Sequence, residues 1–194
     1  AAVQAKKGNY MVFFPSYAYM RAVYDVFTAL FPEQRTVRQT TDMKEAEREA
    51  FLNQFEAEPE ESLLGFCVLG GIYSEGIDLR GDRLIGSIIV GVGLPQICPE
   101  QEVVRAYFEE QNHMGFAYAY QIPGMNKVHQ AAGRVIRGEN DRGLVLLIDD
   151  RFTSFSYRRL FPAHWNGFQV VRTPEAVARR MTDFWDGSVP AVRS

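Results

Sequence analysis

With 194 residues, the chain has room for one sizeable core and too little for two comfortable ones. Its composition, 46% hydrophobic and 23% charged, is that of an ordinary globular protein, and no apolar run reaches the length needed to cross a bilayer. A net charge of −3 excludes a free-standing nucleic-acid binder with a broad basic surface, so any contact with phosphates must be made by a few groups on one face. Ala1 to Gly8 lacks the apolar segment of a signal peptide, and the expectation is a soluble, cytoplasmic protein with no membrane contact.

Apolar runs alternate with helical patterns along the whole chain. Tyr10 to Phe14, closed by Pro15, predicts a buried strand, and Ser16 offers an N-cap for an amphipathic helix to about Leu30. Thr36 to Arg38 reads as a short strand. Asp42 and Glu45 have capping-box spacing ahead of a helix over Met43 to Ala57. Glu56, Glu58, Glu60 and Glu61 form a solvated acidic loop. Leu63 to Leu69 and Leu84 to Val90 are predicted central strands with a Gly-rich connection between them. Glu100 to Met114 and Asn126 to Arg137 read as helices, the second stopped by Gly138. Leu144 to Ile148 is an uninterrupted apolar strand, Phe168 to Val171 a candidate last strand, and Thr173 caps a closing helix with Pro174 at its first position. Strands buried on both faces and alternating with helices imply one α/β domain with a mostly parallel central sheet.

Two segments stand out. Gly70 to Leu79, containing Ser74, Glu75, Gly76 and Asp78, leaves the carboxyl end of a predicted strand, where open α/β sheets place their ligands. Its glycines allow close backbone approach and its carboxylates stand beside that backbone; a tight polar connection with acidic turn residues fits the same letters. The second segment is Gln130 to Arg137. On a helix, Gln130, Arg134 and Arg137 stand at i, i+4 and i+7 and share one face, while Ala131, Ala132 and Gly133 let that helix press on its neighbours. One amide and two planar guanidiniums suit a polyanion such as a triphosphate. Surface ion pairs with Glu139 or Asp141 are the plainer reading.

Taken together these segments resemble the C-terminal motor domain of superfamily 2 DNA helicases of the XPD/DinG group. Gly8 to Tyr17 is similar to that family's motif IV, Ser74-Glu75-Gly76-Ile77-Asp78 to motif V, and Gln130 to Arg137 to the Q-x-x-G-R-x-x-R of motif VI. Asp149-Asp150-Arg151-Phe152 resembles the acidic-arginine ending that follows, and all four occur in family order. The resemblance implies a RecA-like (P-loop NTPase-like) three-layer sandwich over residues 1–194. It also implies an ATP-driven motor on single-stranded DNA, with 5′ to 3′ polarity, in which two RecA-like domains clamp ATP and Mg²⁺ at their interface. Arg137 would be the arginine finger, with Arg134 and Gln130 supporting the γ-phosphate. Asp78, with Glu75 and Gly76 beside it, would meet the nucleotide, and Ser16, Tyr17 and Ser74 would lie near the DNA track. Tyr17 fits a helix-packing aromatic equally well. A domain of this kind that has lost catalysis and serves for docking is the alternative reading.

The sequence carries no Gly-x-x-x-x-Gly-Lys-Ser/Thr segment, so ATP and Mg²⁺ would be held mainly by the first RecA-like domain. Leu144 to Asp150 imitates a Walker B strand, but more simply ends a core strand and positions Arg151. Cys67 and Cys98 are far apart in sequence and lack iron–sulfur or zinc spacing, and Cys67 reads as a buried hydrophobe. His113, His129 and His164 have no metal-ligand spacing, and packing or solvent exposure accounts for each. Phe116, Tyr118 and Tyr120 have the alternation of a core strand, with base stacking as the alternative.

Overall fold

The computed structural model describes residues 1–73, 79, 81–136 and 141–187. A short helix α1 (Ala2–Ala5) precedes β1 (Asn9–Phe14), α2 (Tyr17–Leu30), β2 (Thr36–Arg38), α3 (Glu45–Asn53), β3 (Leu63–Val68) and β4 (Gly86–Val90). Then come α4 (Pro99–Asn112), a π-helical turn (Ala117–Gln121), α5 (Ile122–Ala132), β5 (Leu144–Ile148), α6 (Phe155–Arg158) and α7 (Pro174–Trp185). The strands form one sheet in the order β2-β3-β1-β4-β5, and every neighbouring pair is parallel. Among the described residues no helix is long and apolar enough to cross a membrane.

Strand alternation divides the core into two. Met11 and Phe13 of β1, Cys67 of β3 and Ile89 of β4 face one side, where Phe51 of α3 and Met125, Val128 and Ala131 of α5 cover them. Tyr10, Val12 and Phe14, with Leu64 and Phe66, face the other, under Met20 and Phe27 of α2 and Met181 of α7. The result is a three-layer α/β sandwich. Two strand glycines permit close packing: a Cβ on Gly65 would come within 2.5 Å of the Phe55 ring, and one on Gly86 within 2.3 Å of the Tyr10 ring.

Several boundaries differ from the sequence reading. Asp42 does not cap α3, because its backbone is left-handed (φ 58°) where an N-cap is extended. The helix starts two residues later than expected, with the Lys44 N–H donating to the Glu47 carboxylate at 2.7 Å. It ends at Asn53, short of Ala57, because Arg83 donates to the carbonyls of Leu52 and Phe55, and Asn9 to that of Glu56. Phe116, Tyr118 and Tyr120 lie on helical and π-helical turns rather than a strand. Only Tyr120 is buried; its hydroxyl donates to Glu102, and Tyr118 stacks on Phe108 with ring centroids 4.2 Å apart. Phe168 to Val171 is irregular, with Phe168 and Val170 exposed. The Thr173 cap holds: its hydroxyl accepts from the Ala176 N–H at 3.2 Å.

Candidate functional site

Strand exits diverge at the carboxyl edge of the sheet. The chain leaves β1 toward β2 through α2, and leaves β4 toward β5 through α4 and α5. Such a divergence opens a crevice beyond the strand ends, the usual ligand position of open α/β sheets. The end of β1 and the start of the loop after β3 lie at this edge, and Lys127 of α5 reaches it, whereas the last turn of α5 lies beside the start of β4.

At the end of β1, Ser16 is extended and its hydroxyl accepts from the Tyr19 N–H at 3.2 Å, so its oxygen caps α2. Tyr17, the first residue of α2, is half-buried. Its hydroxyl oxygen lies 2.8 Å from the side-chain nitrogen of Gln39, a residue 2% exposed that the sequence reading passed over. The other end of the Gln39 amide accepts from the Val68 N–H at 2.9 Å. A polar residue directly after a predicted strand was the only signal that could have marked it.

At the end of β3, the Leu69 N–H donates to Phe14 and Gly70 turns the chain with φ 69°, a conformation that favours glycine. Tyr73 then inserts into the core, stacked on Phe51 with centroids 4.3 Å apart, its hydroxyl donating to the Met43 sulfur. Leu79 is buried as well, so the glycine-rich loop is anchored on both sides. Ser74, Glu75, Gly76 and Asp78, the predicted motif V residues, lie outside the described residues.

The third segment corrects an expectation. Helix α5 stops at Ala132, so Gln130 and Arg134 do not share a helical face. The Ser87 hydroxyl of β4 donates to the Ala131 carbonyl at 3.1 Å, and Gly133 and Arg134 continue as a turn that sinks Val135 into the core. Gln130 is exposed on the last helical turn and Arg134 is half-buried in the turn beyond it. Arg137 lies outside the described residues. The helix also begins earlier than expected, at Ile122, with Pro123 tolerated in its first turn. Three residues before Gln130, Lys127 drapes its stem across Gly70 and donates to the Gly93 carbonyl at 3.2 Å, joining the exits of β3 and β4.

At the end of β5, Asp149 accepts from Nε and a terminal nitrogen of Arg151 at 2.8 and 2.7 Å, and from the Arg151 N–H at 2.9 Å. These hydrogen bonds hold the Asp149 carboxyl below the usual carboxylate range. The carboxylate is committed to Arg151, as the reading of this strand as a Walker B look-alike required.

Cys67 is fully buried, and burial pushes its thiol up in pKa, which keeps it inert. His129 is half-buried with its ring edge-on to Trp165, and burial pushes its pKa down. Among the described residues no group of His, Cys, Asp and Glu could hold a metal ion. An apolar groove of about 230 Å³ between β5 and α7, lined by Leu144, Leu146, Val171 and Val177, lies apart from these segments.

Fold and edge together define a RecA-like α/β domain of the helicase type. The profile of the family described as "Helicase C-terminal domain" matches residues 1–168, and the chain belongs to that family. It is 25% identical over 174 residues to the ATP-dependent DNA helicase CHL1 of Debaryomyces hansenii, covering 78% of this chain and 21% of that protein. It is 28% identical over 162 residues to the ATP-dependent DNA helicase YoaA of Haemophilus influenzae, covering 82% of this chain and 24% of that protein. Among solved structures, apo XPD superposes with a TM-score of 0.64 at 26% identity, over 81% of this chain and 31% of that one. The C-terminal domain of the DEAD-box protein Dbp5 shares the fold at 13% identity, with a TM-score of 0.52 over 92% of this chain and 83% of that one. The chain thus spans 21% and 24% of the length of the two curated relatives.

Proposed function

We propose that this chain is the second motor domain of an ATP-dependent DNA helicase, supplying half of an ATP site and part of a single-stranded DNA track. The observation that carries the reading is the meeting of two separate segments at one sheet edge. The end of β1 and the start of the loop after β3 are joined there by the Leu69 N–H to the Phe14 carbonyl and through Gln39, which bonds both Tyr17 and Val68. That edge lacks a phosphate-binding loop of its own, since the sequence has no Walker A segment.

In this reading a first RecA-like domain binds ATP and Mg²⁺, and the two domains close on the nucleotide. Arg137 is the arginine finger, Arg134 and Gln130 support the γ-phosphate, and Asp78, Glu75 and Gly76 meet the nucleotide. Ser16, Tyr17 and Ser74 lie along the DNA. The end of α5 gives this arrangement a physical basis. Leaving helical geometry at Gly133 takes Arg134 off the face of α5 and into the turn that follows the helix.

Phosphoryl transfer needs the Walker A lysine and the metal-binding carboxylates of the other domain. This chain alone is therefore expected to show no ATP turnover in a steady-state phosphate-release assay with Mg²⁺ and single-stranded DNA. Turnover at helicase-like rates, abolished by chelating Mg²⁺, would overturn the half-site reading.

A further inference from the structure

The buried amide of Gln39 sits where a β-ladder runs out. The N–H groups of alternate β3 residues point toward β2: Leu64 donates to Arg35, and the Gln39 N–H returns a bond to Phe66. Regular pairing of β2 ends at Arg38, opposite Phe66. At the next step the Val68 N–H points to the place where a strand carbonyl of residue 39 would be, and the Gln39 side-chain carbonyl takes that place at 2.9 Å. This contact fixes which way round the amide lies. The NH₂ end must face Tyr17, and an amide NH₂ can only donate.

The Tyr17 oxygen therefore accepts from Gln39 at 2.8 Å, and its own proton is turned elsewhere. Burial pushes the Tyr17 pKa up, so the hydroxyl keeps that proton at neutral pH. We infer that Gln39 is a positioning residue that commits the Tyr17 hydroxyl to act as a hydrogen-bond donor toward a nucleic-acid phosphate. The inference rests on the proposed place of Tyr17 on the DNA track, and deepens it by naming what sets the polarity of the contact.

Gln39→Glu tests the polarity at constant volume. As a carboxylate, residue 39 accepts from both Val68 and the Tyr17 O–H, turning that hydroxyl inward. As a neutral acid its carbonyl accepts from Val68 and its O–H donates to Tyr17, which restores the native polarity. Burial raises the pKa of such a carboxyl, placing the switch in the range of about pH 5 to 8. The groups that act on Tyr17 are Asp42 in the loop after β2, Arg48 of α3 and the Cys67 thiol of β3, which burial keeps neutral.

The measurement is fluorescence anisotropy of this chain with a labelled oligothymidylate across pH at fixed ionic strength. Gln39→Glu is expected to bind like wild type at low pH and about tenfold more weakly at high pH, as suits the loss of one hydrogen bond to a charged acceptor. Tyr17→Phe should lose the same factor at every pH, and adding Gln39→Glu to it should cost nothing more and show no pH step. Recovery at low pH also shows that the variant is folded. Gln39→Glu binding as wild type throughout, or losing affinity regardless of pH, overturns the inference while leaving Tyr17 on the track. Wild-type binding that Tyr17→Phe leaves unchanged, or no binding at all, removes Tyr17 from the track and overturns the DNA assignment itself.

Discussion

Strands β3 and β5 look alike as sequence and differ as structure. Both are short apolar runs, LLGFCV and LVLLI, yet every residue of β3 is buried while Val145 and Ile148 of β5 stand 36% and 48% exposed. The difference lies in their neighbours. β3 lies between β1 and β2 with helices over both faces, whereas among the described residues β5 pairs with β4 alone at the edge of the sheet. The same contrast runs into their ends. The exit of β3 is fixed by long-range contacts through Gln39, Tyr73 and Lys127, whereas Asp149 beyond β5 is bound by Arg151, two residues away. An apolar run records that a segment belongs to the core; its depth is set by partners far away in sequence.

Substitutions along the two strands sharpen this contrast. Phe66 of β3 is 2% exposed and packs against Phe14, Tyr24 and Phe27. Phe66→Ala should cost about 3–5 kcal/mol of stability, read as a fall in the denaturant midpoint. A loss below about 1 kcal/mol would mean that the aromatic cluster collapses around the gap.

Asp149→Asn should cost less, about 1 kcal/mol near neutral pH, because the Arg151 side chain is 41% exposed and solvent screens the pair. The sign with pH follows from the lowered carboxyl. Its contribution is complete above the unfolded carboxylate value of about 3.9 and is lost as pH falls through the lower folded value. Wild type and Asp149→Asn should therefore converge in stability in acid, and a constant gap down to low pH would contradict the ion-pair account. Ile148→Ala at the β5 edge should move stability least, by about 0.5–1 kcal/mol. A cost matching that of Phe66→Ala would show that β5 is covered in solution.

The fold was largely legible because periodicity and caps are local signals. Ser16 and Thr173 each precede a helical pattern and do cap it, and the Asp149–Arg151 pair could be read two residues apart. What escaped was set by distant groups. Asp42 has capping-box spacing but a left-handed backbone, and α3 is cut short by Arg83 and Asn9 from elsewhere in the chain. Helix α5 ends early because Ser87, 44 positions away, takes the Ala131 carbonyl. Gln39 carried no mark in the sequence beyond its place after a predicted strand, since its role depends on where the ladder between β2 and β3 stops.

The central claim is that this domain completes an ATP site whose other half lies on a second motor domain. Single-turnover hydrolysis, paired with equilibrium nucleotide binding, for Arg137→Ala in the longer protein that carries this domain tests it most directly. A finger stabilises charge that develops on the γ-phosphoryl group in the transition state, more than it stabilises bound ATP. The variant should therefore lose about 10³–10⁵ in hydrolysis rate with little change in nucleotide affinity, and Arg137→Lys should not restore it. Near-normal hydrolysis by a folded Arg137→Ala protein, or equal losses of binding and hydrolysis, would contradict the account.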